Sequence, residues 1–300
     1  MTRIAITGMG VVCNQGVGQE LMREGLFYKE VSSAEEFSGK IPNFFPEKYI
    51  PSKYLERMDR SNHLAMTAIG EAIQQSRLPL EYSQDIGIIT ANALCGVEFT
   101  AQEAQKLGEK GPGAGSKYFS LAFFPFGTVG MASIIHGIHG FSQTIESSQT
   151  GSLQALQLAA QMIKIGKVRW VLAGATEAPL IPLIQNAYAQ KYGSMHAQYL
   201  SEAAVFFVLE AESTAVQRGA HVLETLEELL WQNQTPFWDK LLYSVCGNAL
   251  SVNHALQFAA QILSEKVNPI AERVKAINQI YEQIFTKRLM KEKLYDRFQH

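Results

Sequence analysis

Five residues, Ser147-Ser148-Gln149-Thr150-Gly151, stand where an apolar segment gives way to a helical pattern. A turn at a helix N-terminus is a favourable place for a nucleophile, because the unpaired backbone N–H groups stabilise an anion. The side chain at the centre of this turn is a carboxamide, which does not ionise near neutral pH. Ser148 has a hydroxyl, but no serine-hydrolase elbow surrounds it and no base is identifiable in the pattern. The three cysteines, Cys13, Cys95 and Cys246, are far apart and odd in number, so they suit neither a metal set nor a disulfide framework. Cys95 follows a strand and reads as a small buried hydrophobe. Gly8-Met9-Gly10 begins like a dinucleotide fingerprint, yet Cys13 stands at its third glycine position and no acidic residue ends a second strand at the expected distance.

The elements around the turn are legible. Arg3 to Ile6 with Val11-Val12 reads as strand, a glycine-rich turn, then more apolar chain. Residues 59–75 carry Leu64, Ala65, Ala68, Ile69 and Ile73 at helical spacing, and 97–107 form an amphipathic helix ended by Gly111-Pro112-Gly113. Residues 86–89 are a short buried strand. Residues 141–145 lead into the turn at Gln149. The helix after it carries Leu153, Leu156, Ala160 and Ile163 and stops at Gly166, a left-handed cap. Trp170 to Gly174 and Ala203 to Glu210 are buried strands, so an α/β fold with a largely parallel, covered sheet is expected, its chemistry at the strand ends. Beyond it, 221–230 and 241–245 each read as carrying a strand and 255–264 as a helix. Residues 272–298 read as one or two amphipathic helices, either packed on the surface or binding a partner. The rings of Tyr118, Phe119, Phe123, Phe124 and Phe126 read first as core.

The 300 residues are 47% hydrophobic with a formal net charge of -2, enough for one large or two small domains. The near-neutral balance, with no basic run, argues against a nucleic-acid partner. No signal-peptide pattern opens the chain and no apolar run approaches the ~20 residues of a membrane span, so a reducing cytoplasm is expected. Nothing calls for a metal or other cofactor.

Taken together, several motifs resemble the ketoacyl-ACP synthases of the thiolase-like family. Ile4-Ala5-Ile6-Thr7-Gly8-Met9-Gly10-Val11-Val12 is similar to their first strand, and Met58-Asp59-Arg60 to a following helix entry. Gly111-Pro112, Tyr118-Phe119 and Gly137-Ile138-His139-Gly140 resemble their middle segment. Gly166, Ala173-Gly174-Ala175, Glu177-Ala178, Val208-Leu209-Glu210 and Arg218-Gly219-Ala220 continue the resemblance to about residue 222. It implies a layered αβαβα fold with mixed, largely parallel sheets. It also implies a ketosynthase-like half over 1–220 and a shortened half with terminal helices over 221–300.

The family's nucleophile is a cysteine at the turn before the helix ending at Gly166. Alignment without gaps puts Gln149 there, whereas matching Thr150-Gly151 to the family's own Thr-Gly would select Ser148 and shift every later match by one. The family's two catalytic histidines are not matched. None of His221, His254 and His300 precedes Gly-Thr, and Asn248 in Gly247-Asn248-Ala249-Leu250 reads as a replacement for the other. Glutamine at the nucleophile position is the signature of chain-length factors, the ketosynthase β subunits of type II polyketide synthases. The resemblance therefore implies a non-catalytic subunit of a β-ketoacyl-ACP synthase complex. It would heterodimerise with an active ketosynthase, meet an acyl carrier protein through that complex, and shape the acyl tunnel in polyketide, aryl polyene or fatty-acid-like synthesis. Phe119, Leu94 and Phe99, with Gln149, are the tunnel and interface residues so implied. Two other readings stay open: decarboxylation of malonyl-ACP to make a starter unit, with Gln149 holding an enolate, and a degenerate scaffold subunit.

Overall fold

The computed structural model describes residues 2–29, 36–232 and 236–264, with side chains of 230–240 left aside; the helices expected over 272–298 lie outside the described residues. In chain order the first elements are β1 (Ile4–Cys13), β2 (Gly16–Val17), α1 (Gln19–Phe27), α2 (Ser52–Leu55), α3 (Arg60–Ser76) and β3 (Ile86–Asn92). Next come α4 (Val97–Lys110), α5 (Phe119–Phe123), α6 (Gly127–His136), β4 (Ser142–Glu146), α7 (Gly151–Lys164) and β5 (Trp170–Glu177). They are followed by α8 (Pro182–Tyr192), α9 (Ser194–Gln198), β6 (Ala203–Ala211), α10 (Glu212–Gln217) and β7 (Glu224–Thr225). The last are α11 (Leu226–Gln232), α12 (Pro236–Val245) and α13 (Asn253–Ser264).

Seven strands form one sheet in the order β2-β1-β6-β5-β3-β4, with β7 also paired to β1. The sheet is mixed. Its parallel part is confined to β4, β3 and β5, while β6 runs antiparallel to both β5 and β1. This narrows the largely parallel arrangement expected from strand-helix-strand order: only the three strands around the turn at Gln149 pair in parallel. Their C-terminal ends therefore lie together.

β1 has no turn at its glycines, contrary to the sequence expectation. The strand runs unbroken through Gly8 and Gly10, with a bulge between Ile6 and Gly8. One extra residue reverses the in-out alternation, so Ile4 and Ile6 share a core with Met9, Val11 and Cys13. The glycines face α3. A Cβ on Gly10 would lie 1.8 Å from the carbonyl oxygen of Ala68, and one on Gly8 would lie 2.4 Å from that of Ala72. Close packing on a helix, and not a nucleotide loop, explains the Gly-Met-Gly pattern.

Both faces of the sheet are covered. Ile86, Ile88, Trp170, Leu172, Phe206 and Val208 pack with Leu64, Ala68 and Ile69 of α3 and Met131 of α6. Ile89, Ala91, Val171, Ala173, Val205 and Phe207 pack with Leu156 and Ile163 of α7 and Leu256 and Phe258 of α13. A buried carboxylate fastens the centre: Glu210 accepts from Trp170 Nε1 at 3.0 Å, Thr7 Oγ1 at 2.6 Å and Arg218 Nε at 2.8 Å. Of the two later strand expectations, the first is met by a short strand and the second fails. Only Glu224–Thr225 is extended within 221–230, and 241–245 belongs to helix α12. A short, mostly apolar run serves a buried helix face as well as a strand, and Leu241, Leu242 and Val245 are buried here.

Candidate functional site

β4 and β3 end side by side, and the chain turns there. Ser147 N donates to the Asn92 carbonyl at 3.1 Å, the hydroxyls of Ser147 and Thr150 lie 3.2 Å apart, and Gln154 Nε2 donates to Thr150 Oγ1 at 2.9 Å. Gly151 at the start of α7 is closely packed: a Cβ there would lie 3.0 Å from the Cβ atoms of both Ala91 and Ser251. Gln149 is thereby presented at the surface just ahead of the helix N-terminus. Ser148 is exposed beside it, with no imidazole or carboxylate partner among the described residues.

Gln149 meets the second part of the chain. The backbone carbonyl oxygen of Gln149 lies 2.9 Å from His254 Nδ1, which donates to it. Together they border a cavity of about 350 Å³ whose other walls include Tyr243, Asn248, Asn253 and Gln257. Leu242, Gly247 and Leu256 complete the lining. Asn248 is fully occupied as a structural clamp. Its Nδ2 donates to the Tyr188 hydroxyl at 3.0 Å, and its Oδ1 accepts from Leu250 N at 3.1 Å and Asn253 Nδ2 at 2.9 Å.

A second carboxylate joins the site to the loop after β3. Glu177, fully buried at the end of β5, accepts from Ser251 Oγ at 2.6 Å, from Leu94 N at 3.2 Å and from Ala93 N. Burial pushes its pKa up to about 7 despite these donors. Leu94 is thus held through its backbone. Gly96 follows with φ +75, and a Cβ on it would lie 2.5 Å from the Phe123 carbonyl oxygen, so the start of α4 packs directly on α5. Phe99 and Phe119 are brought together, ring centroids 6.3 Å apart, and Phe119 stacks on Phe123 at 5.2 Å. Phe124 continues the row to Phe126, again at 5.2 Å.

These rings are not the core that their spacing suggested. Phe119, Phe123, Phe124 and Phe126 are 38%, 37%, 42% and 56% exposed, and Ile134 on α6 is 54% exposed. They form an apolar ridge, and no hydrogen bond or ring contact among the described residues joins it to Gln149. Cys95 lies beneath the same loop, its Sγ 3.7 Å from Asn62 Oδ1 and 3.8 Å from Thr128 Oγ1. Burial pushes its thiol up to about 12, so it is protonated and inert as a nucleophile. Sequence reasoning had no role for Tyr188, Asn253 or Gln257 and missed the task of Glu177. A carboxylate ending the apolar run Trp170–Glu177 was the one available signal.

This arrangement of strand ends, helix N-terminus and buried glutamate has a family. Residues 42–206 match the Beta-ketoacyl synthase, N-terminal domain, and the chain belongs to that family. A Streptomyces halstedii protein carrying the name polyketide beta-ketoacyl synthase 2 is 32% identical over 258 residues, which cover 75% of this chain and 61% of the relative. The tetracenomycin polyketide synthase ketoacyl synthase beta subunit of Streptomyces glaucescens is 30% identical over 192 residues, covering 60% and 47%. The chain thus spans between about half and three-fifths of these relatives' length. Among solved structures, a type II polyketide synthase complex of ketosynthase and acyl carrier protein (AntDE:AntF) superposes with a TM-score of 0.75 at 22% identity, covering 89% of this chain and 93% of that one. The ishigamide ketosynthase/chain length factor gives 0.70 at 15% identity, covering 88% and 86%. The fold is therefore the ketosynthase fold. Among the described residues no helix is long and apolar enough to cross a membrane.

Proposed function

We propose that the chain is a chain-length factor: a non-condensing subunit that pairs with an active ketosynthase in the cytoplasm and forms part of its acyl tunnel. The observation that carries this reading is Gln149 at the turn between β4 and α7, where condensation would need a thiolate. None of the three cysteines stands at this turn: Cys13 and Cys246 are buried elsewhere, and Cys95 under the loop after β3 is kept protonated by desolvation. Condensing chemistry must then come from another polypeptide. The named relatives fit: a ketoacyl synthase beta subunit and a ketosynthase/chain length factor are both similar to this chain.

The surface supports a partner. β4 is the end strand of the sheet, and its side chains are largely exposed, unlike those of β1, β3 and β5. An end strand with free N–H and C=O groups beside a ridge of phenylalanines is a surface that association would cover. In this reading Phe119 and Phe99 face the partner's growing chain and limit its length by their bulk, with Leu94 fixed behind them by Glu177. The malonyl decarboxylase alternative is weaker, because the enolate it forms needs several preorganised donors at the thioester oxygen and neither catalytic histidine of the family is matched here.

Co-expression tests the proposal. The chain alone is expected to aggregate, and a co-expressed active ketosynthase to recover it as a one-to-one complex burying about 2,000 Å² or more. Phe126→Asp should leave the fold intact by circular dichroism while abolishing co-purification. A well-behaved monomer that ignores every ketosynthase would refute it.

A further inference from the structure

We propose that Cys13 and Cys246 form a reversible disulfide when the protein meets a hydroperoxide, joining the end of β1 to the C-terminal end of α12. The sequence sets these thiols far apart, and the fold brings them together. Cys13 closes β1 and pairs with Gly16 across the hairpin loop Asn14-Gln15. Both loop amides grip the end of α12: Asn14 Nδ2 and Gln15 Nε2 donate to the Val245 carbonyl at 3.0 and 3.1 Å. Cys246 is the next residue, and its N–H continues the helix onto the Leu242 carbonyl at 2.7 Å. Each of the two cysteines is 1% exposed, and both belong to one apolar cluster. Within it the Cys246 thiol donates a hydrogen bond to the Cys13 sulfur.

The surroundings give the two sulfurs different tasks. The hydrogen bond from Cys246, with the N–H groups of Gln15 and Gly16 and the charge of Lys29, draws the Cys13 thiol below its usual range in spite of burial. The same hydrogen bond, together with burial, pushes Cys246 well up. An attacking sulfur with thiolate character beside a protonated resolving thiol is the arrangement of a redox pair. Cys95 is a control within the same chain, because its sulfur meets Ser61, Asn62 and Thr128 and no other thiol.

The chemistry balances with hydrogen peroxide as the oxidant. The Cys13 thiolate attacks one peroxide oxygen: an S–O bond forms, the O–O bond breaks, and the departing hydroxide becomes water with the proton that Cys13 released. The Cys246 sulfur then displaces the hydroxyl: the S–S bond forms, the S–O bond breaks, and the hydroxide leaves as water with the Cys246 proton. Two thiols lose two electrons, and one peroxide is reduced to two waters. Peroxide is small and neutral, so a partial opening of α12 admits it. The new bond would pin the chain two residues before Asn248, whose amide holds Tyr188. This inference stands whether or not the chain sets product length.

The purified chain, or its ketosynthase complex, is reduced, treated with hydrogen peroxide, alkylated in denaturant and mapped by mass spectrometry. The peptides of Cys13 and Cys246 should be joined within one chain, with Cys95 fully alkylated, and dithiothreitol should restore all three thiols. The oxidised protein should melt about 5 °C or more above the reduced one, because the loop from 13 to 246 is most of the chain. In Cys246→Ala, peroxide with dimedone should label Cys13 as a sulfenic acid at least about tenfold faster than Cys95. In Cys13→Ala, Cys246 should stay unlabelled. If an alanine variant does not fold, the peptide map of the unaltered chain decides. Three free thiols after oxidation, a bridge that involves Cys95 or joins two chains, or a sulfinic acid at Cys13 without a bridge overturns the proposal.

Discussion

The two sides of the sheet's central strand β5 are finished differently. In β5, β6 and β1 every residue but Ala211 at the end of β6 is buried, helices cover both faces, and the glycines of β1 let α3 settle directly on the backbone. Towards β3 and β4 the sheet stops at a short exposed strand, flanked by phenylalanines that water reaches. The first side is closed by the chain's own helices. The second carries the features of an interior without its cover. Among the described residues, one side of the sheet is enclosed and the other is not.

The closed side is where substitutions should hurt the fold most. Gly10→Val is expected to cost 3 kcal/mol or more, because its Cβ overlaps the backbone of Ala68, leaving the protein insoluble or greatly lowering its denaturant midpoint. Wild-type solubility of this variant would mean that α3 does not rest on β1 as described.

The next effect is on pH. Glu177 keeps its proton up to about pH 7 when folded, whereas a free glutamate releases it near 4.5. Below 4.5 both states hold the proton and the group has no effect. As pH rises from 4.5 to 7 only the unfolded state ionises, so stability falls across that window by about 3 kcal/mol and then levels off. Asp59, raised by burial to about 6, acts in the same direction. Unfolding at pH 5 and pH 7.5 should show this decline, and Glu177→Gln should flatten much of it. Stability that instead rises over this window would place Glu177 in a different environment.

On the open side the effect should spare the fold and reach the product. Phe119→Ala removes a half-exposed ring, so a stability change of about 1 kcal/mol or less is expected. In the complex, mass analysis should show longer products. Unchanged length with an intact complex would favour a scaffold without a tunnel role.

How much of this was legible in the sequence follows the same division. Residues 86–89, 170–174 and 203–210 could be read as buried strands from their apolar runs, and the structure extends them to 92, 177 and 211. α3 and α7 were legible from spacing, and Gly166 from its cap, which does adopt φ +71. Gly8 and Gly10 were not, because a glycine that admits a helix looks the same in sequence as one that turns a chain. The aromatic run was read as core because composition cannot say whether the cover comes from the same polypeptide. In the site, Gln149 stood out as a residue type, but its meeting with His254 and the clamp of Asn248 on Tyr188 join residues 105 and 60 positions apart. No local pattern encodes such pairs.

The decisive measurement is mass spectrometry of the chain after incubation with an acyl-loaded and a malonyl-loaded carrier protein, with and without its ketosynthase partner. The account predicts that the peptide containing Ser148 and Gln149 keeps its unmodified mass, and that acylation and chain extension appear only when the partner is present. An acyl adduct on that peptide, with extension by this chain alone, would contradict it.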